Sequence, residues 1–213
     1  MVSMMDETRG ALRVLIVALL IRVVGAWLLG EGAPFGPDGT GVEASFHLGG
    51  HPYPLHTAML YLTGGSARGL SMATGALSAA LLWSWGRREG LGGAGGWLAA
   101  VAPLCVLPGV LAAGDAPALL VVIGGVWLTT LGGPWVYLGG ALAAASVGVK
   151  PIALPALVLL TARPRAFLVA GPVLLILHGF TRPLWQPVPD AGLLGTWWVA
   201  SDGAPPADWP GWA

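Results

Sequence analysis

The chain has 213 residues, 55% of them hydrophobic and only 9% charged, with a mean hydropathy of +0.75. So low a charged fraction lies outside the range of soluble domains. Ten basic residues offset ten acidic ones, leaving no net field to attract nucleic acid. These facts exclude a nucleic-acid-binding module and predict an all-α, polytopic transmembrane helical bundle.

In chain order, the first segment "MVSMMDETRGALR" carries both signs of charge and leads into an apolar run too long for a signal-peptide core. It reads as a retained first helix. No stretch alternates with the period of a barrel strand, so helices are the economical way to cross a bilayer. Seven spans are predicted, at 11–30, 67–86, 92–112, 116–132, 134–149, 151–162 and 166–181, with Gly, Pro or charge at nearly every boundary. A long polar loop after the first span holds "PFGPDGTGVEASFHLGGHPYP". It is followed by a short apolar segment opening at His56, which is expected to lie along the interface. The chain divides into a transmembrane module, 1–181, and a Trp- and Pro-rich tail, 182–213, expected outside the cell membrane.

Charge distribution orients the bundle. With the N-terminus in the cytoplasm, Arg9, Arg13, Arg87, Arg88, Arg163 and Arg165 fall inside, and Arg68, Lys150 and Arg182 outside. A six-span alternative joins 134–162 into one helix kinked at Lys150 and Pro151, but it moves Arg163 and Arg165 outside. The sixth span is short: as an α-helix its 12 residues would cover only about 18 Å. Lys150 is therefore expected below the interface, in a polar cavity.

Chemistry-bearing residues gather on the outer side. Asp38 and Glu43 in the long loop are carboxylates at the water boundary, suited to general-base work, although many loop acids merely solvate. His47 and His51, four apart, are of a type that can ligate metal, but Gly49 and Gly50 between them favour plain loop histidines, and no metal is expected. Asp115, Lys150 and Arg68 mark outer turns. Each alone is ordinary turn chemistry; together they offer carboxylates to activate a hydroxyl and cations to neutralise a phosphate. Arg22 lies inside the first span, where an arginine needs a partner or a cavity. Cys105, in an apolar run, reads as a buried, inert thiol. Eleven Trp, five of them in the tail, suit interfacial anchoring.

The order "IRVVGAW", an outer-loop "PDG" acid, "GGHPYPLHTAMLYLTGG", "GVLAAGDAPALLVV" and "LGGALAAASVGVKPIALPALVLL" resembles the polytopic C-type glycosyltransferases. That group includes protein mannosyltransferases and lipid A aminoarabinose transferases. The resemblance covers roughly residues 11–162. It implies a polyprenyl-phosphate sugar donor and inverting transfer. Asp38 would take the place of the catalytic acid and Asp115 that of a second acid. Lys150 would be a cation near the donor phosphate. Arg68, Glu43 and His56 complete the expected substrate-binding set. The partners are membrane lipids and the sugar donor; no cofactor is identified. The chain departs from the family in having Gly39 where a second acid often follows the first. A rival reading is a non-catalytic integral membrane subunit that binds lipid or packs with other membrane subunits. The many glycines would support such packing. A small transporter would need repeat symmetry, which the sequence lacks.

Overall fold

The computed structural model describes residues 4–29, 54–62, 67–110 and 115–181. Among these the structure is helical throughout, without strands. Helix α1 is Met4–Leu29, α2 Pro54–Leu62, α3 Ala67–Arg88, α4 Ala94–Val101, α5 Pro103–Val110, α6 Asp115–Thr129, α7 Trp135–Val149 and α8 Phe167–Thr181. Between α7 and α8 run a 3-10 helix, Pro151–Ala162, and a 3-10 turn, Pro164–Ala166.

Two predicted spans take unexpected forms. The stretch 92–112 is broken into α4 and α5, because Ala102 adopts an extended conformation (φ −66°, ψ 129°) before Pro103. A proline ring disfavours the helical region for the residue ahead of it and brings no N–H to the ladder. The stretch 151–162 is a 3-10 helix with Pro151 at its start and Pro155 inside. At a rise of about 2.0 Å per residue, its 12 residues extend about 24 Å, further than an α-helix of that length.

One described helix, Asp6–Leu29 within α1, is long and apolar enough by itself to cross a membrane. Helices α5 and α6 meet that requirement together, as a bent pair. Although α3 has 22 residues, Ser71, Thr74, Ser78 and Ser84 and its terminal arginines dilute its hydropathy.

Contacts fix the direction of each element. Glu7 near the start of α1 meets Ser84 and Arg88 near the end of α3, while Arg22 meets Gly75, so these helices are antiparallel. Ser84 also meets Trp127 near the end of α6, which makes α3 and α6 parallel. Gly139 near the start of α7 abuts Gly125 and Thr129, and Ala166 abuts Gly140. Arg163, after the 3-10 helix, pairs with Glu89 after α3. With α4 and α5 counted as one broken element, α1, α3, α4–α5, α6, α7, the 3-10 helix and α8 therefore alternate in direction. Arg87, Arg88 and Arg163 gather at one end, and Asp115 and Lys150 lie together at the other.

The interior is built from small side chains. One core joins Val122, Ile123 and Val126 of α6 to Ala143, Ala144 and Val147 of α7 and to Leu157, Leu160, Ala166 and Ala170 beyond. A second joins Val14 and Ala18 of α1 to Ala76, Ala79 and Trp83 of α3 and Ala99 and Ala100 of α4. Many large side chains point away: Leu20, Val24, Trp27 and Leu28 of α1, Leu104 of α5 and Leu175 and Ile176 of α8 are exposed.

Close approach is tightest between α6 and α7. A methyl built on Gly125 would lie 2.6 Å from the Gly139 carbonyl oxygen and 2.8 Å from the Ala143 Cα. These are backbone atoms, which cannot swing aside. Gly125→Val should therefore force the pair apart and destabilise the protein by about 1–3 kcal/mol, the usual cost of overpacking. Reversible unfolding in detergent, compared with Gly171→Val, whose site is open, measures the difference.

Candidate functional site

Arg22 lies in the upper half of α1 and is 1% exposed. Its guanidinium serves three main-chain carbonyls: Nη1 donates to Ala18 (3.1 Å), and Nη2 to Ala99 (3.2 Å) and Cys105 (3.0 Å). The Ala99 bond follows from the helix break. In a continuous helix the N–H at position 103 would reach the Ala99 carbonyl, but Pro103 has none, so Arg22 supplies the missing donor. Gly75 and Gly109 make room for the guanidinium. A Cβ on either would come within 2.7 Å or 2.6 Å of Nε. No carboxylate pairs with Arg22 among the described residues.

Asp115 opens α6, and Lys150 follows the last turn of α7. An acid at a helix N-terminus and a base at a C-terminus both complement the helix dipole. Because α6 and α7 are antiparallel neighbours, these two ends coincide, and Lys150 Nζ lies 3.1 Å from an Asp115 carboxylate oxygen. The partners differ in setting: the lysine side chain is 3% exposed and the aspartate 40%. Lys150 is buried, and α2 packs over the corner. Leu55 and Met59 of α2 lie against Ala118, Val149 and Ala153, and Leu55 meets Gly148. His56, the next residue, is 3% exposed.

Between α1, α3, α4, α5, α6 and the 3-10 helix is a cavity of about 290 Å³. Arg22 and Asp115 line it together with Ser78 and a mainly apolar wall that includes Leu104, Leu119 and Ala156. Two hydroxyls of α3 are engaged with their own helix: Ser78 donates to the Thr74 carbonyl (2.8 Å) and Thr74 to that of Leu70 (2.7 Å). Cys105 also lines the cavity and is exposed, contrary to the buried thiol expected, because the break at Ala102 turns this part of α5 outward.

Of the residues singled out in the sequence, the structure brings Asp115 and Lys150 into contact and places His56 in the helix above them. Arg68 is in the first turn of α3, partly buried, at the end of the bundle where Asp115 and Lys150 lie. Asp38, Glu43, His47 and His51 lie outside the described residues, as does the tail from 182. No cluster of three or more His, Cys, Asp or Glu able to hold a metal occurs among the described residues.

At the opposite end is a network that sequence reasoning did not find. The Glu7 carboxylate accepts hydrogen bonds from the Ser84 hydroxyl and from Arg88 Nε (2.8 Å). The Trp127 indole donates to Ser84 (3.0 Å), and the Arg88 guanidinium sits 5.3 Å from the centre of the Trp127 ring. Only the antiparallel packing of α1 on α3 unites positions 7 and 84–88. The "RRE" run at 87–89 was the sole sequence signal.

Comparison with protein-family models, curated proteins and solved structures finds no match to this chain.

The unequal burial of the ion pair sets an order of effects. Asp115→Asn removes the carboxylate from a buried ammonium and should cost about 1–3 kcal/mol, below the range for a fully buried pair because the acid is partly solvated. Lys150→Met leaves a carboxylate that water can reach and replaces the stem with one of similar volume, so it should cost less than about 1 kcal/mol. Unfolding of both variants in the same detergent checks the order.

Proposed function

We propose that the chain is an integral membrane protein of seven passes and that its outer end is a glycosyltransferase-like site for a sugar carried on polyprenyl phosphate. The membrane part of this reading draws support from the alternating direction of the elements, the outward-facing Leu, Ile and Trp, and the basic residues at one end. The basic end is then cytoplasmic and the Lys150 end external. The extended form of the 3-10 helix supports counting 151–162 as a pass.

The observation that carries the functional part is the Asp115–Lys150 pair, whose aspartate lines a mainly apolar cavity. A buried ammonium joined to an apolar cleft through that carboxylate suits a lipid phosphate whose chain remains in hydrocarbon. In this reading Lys150, with Arg68, neutralises the departing phosphate. Asp115 holds the ammonium in place. Asp38 takes the proton from the acceptor hydroxyl, which attacks the anomeric carbon from the face opposite the phosphate, so that the C–O bond to the donor breaks with inversion. Glu43 and His56 complete the contacts to substrate.

Single cysteines in a Cys105→Ala background test the topology. Positions 38 and 115 should react with an impermeant maleimide added to intact cells, and position 165 only after permeabilisation. Labelling of 38 and 165 from the same side would end the seven-pass reading. For the chemistry, purified protein should turn over a polyprenyl-phosphate sugar. Asp38→Asn should lower that rate by about 100-fold or more, with the yield of folded protein unchanged. Donor binding without turnover by the unaltered protein would favour the non-catalytic subunit instead.

A further inference from the structure

A second recess lies at the basic end, away from Lys150. Helices α1 and α6 both pack on α3, and a groove of about 430 Å³ is lined by Leu12 and Leu15 of α1, Ala80 and Ser84 of α3 and Trp127 of α6. Glu7 and Arg88 line it as well. From Glu7 to Leu15 it runs about 12 Å along α1, at about 1.5 Å per residue. Charge therefore sits at one end of the groove and apolar side chains at the other.

The charged end is held in place yet only partly used. The Ser84 hydroxyl and Arg88 Nε both donate to Oε1 of Glu7, and the Trp127 indole fixes Ser84. Oε2 of Glu7 and both Nη atoms of Arg88 have no hydrogen-bond partner among the described residues. The Glu7 and Arg88 side chains are 23% and 31% exposed, so an incoming group can reach them. The groove thus offers a carboxylate oxygen and guanidinium N–H groups side by side. Basic residues alone in such a place attract anionic headgroups. A carboxylate beside them disfavours further negative charge and suits a headgroup that brings both signs.

We propose that this groove binds a phospholipid whose headgroup is phosphoethanolamine. The phosphate accepts from the Nη groups of Arg88, the primary ammonium donates to Oε2 of Glu7, and the start of one acyl chain lies along Leu12 and Leu15. A quaternary ammonium has no N–H to donate, so a phosphocholine headgroup makes only the first of these polar contacts. The site rests on the membrane part of the proposed function, and it stands whether or not the protein transfers sugar.

The test is native mass spectrometry of the full chain in detergent, titrated with one probe at a time. The probes are dioleoyl phosphatidylethanolamine, phosphatidylcholine and phosphatidylglycerol, and free phosphoethanolamine. One phosphatidylethanolamine should bind per chain, about tenfold or more tightly than either other lipid. Free phosphoethanolamine, which lacks the chains, should bind at least about 100-fold more weakly than the lipid. Glu7→Gln should abolish the preference over phosphatidylcholine, and Arg88→Gln should weaken both lipids about tenfold. Both side chains are partly exposed, so the two variants should fold. Thr8→Trp, at an exposed position lining the groove, should weaken lipid binding about tenfold or more without removing the ion pair. Equal affinity for phosphatidylcholine, tighter binding of phosphatidylglycerol, equal binding of free phosphoethanolamine, a preference that survives Glu7→Gln, or undiminished binding by Thr8→Trp would each overturn the proposal. The maleimide labelling reads topology independently, so failure of the seven-pass reading and failure of this site are distinguishable.

Discussion

The hydrogen bond from Arg22 to the Ala99 carbonyl joins two features that would each be a liability alone. A proline within an apolar helical run strands a carbonyl, and an arginine in mid-helix strands a cation. Placed together, each answers part of the other's need. The glycines at 75 and 109 allow the guanidinium to reach the break. That arrangement ties α1 to α4 and α5, turns Cys105 outward and leaves a cavity beneath Asp115.

Around this point the packing rests on close backbone approach. The cores are rich in Ala and Val, and Gly125 and Gly139 let α6 and α7 touch along their main chains. Small residues at such contacts are what helices use where burial of leucine from water is not the driving force, as the proposed membrane setting requires. The Thr74 and Ser78 hydroxyls are answered by carbonyls of their own helix, α3, so they add little polarity to the interface. Among the described residues, charged contacts lie at both ends: the Glu7, Ser84, Arg88 and Trp127 network and the Arg163–Glu89 pair at one, and the Asp115–Lys150 corner at the other.

The two ends differ in character. The charges of the basic end are partly exposed, and pairs of that kind contribute little to stability. At the Lys150 corner the lysine is buried, with α2 packed against the neighbouring residues, and its partner Asp115 lines the cavity. The proposed function centres on that corner for this reason.

The sequence by itself determined the helical class, because no stretch has the two-residue period of a strand and turn residues or charges punctuate the apolar runs at nearly every boundary. It placed most boundaries within a few residues, and it made Asp115 and Lys150 neighbours in prospect by setting both at turns on the same side of alternating helices. Tertiary structure decided the rest. The fracture at Ala102 and the 3-10 course of 151–162 depend on how Pro103, Pro151 and Pro155 are accommodated, and periodicity cannot distinguish a kink, a break and a tightened helix. Arg22's partners were beyond sequence reading for a further reason. Two are carbonyls on segments some 80 positions away, and every residue carries a carbonyl, so composition could not single out the two that packing would leave free.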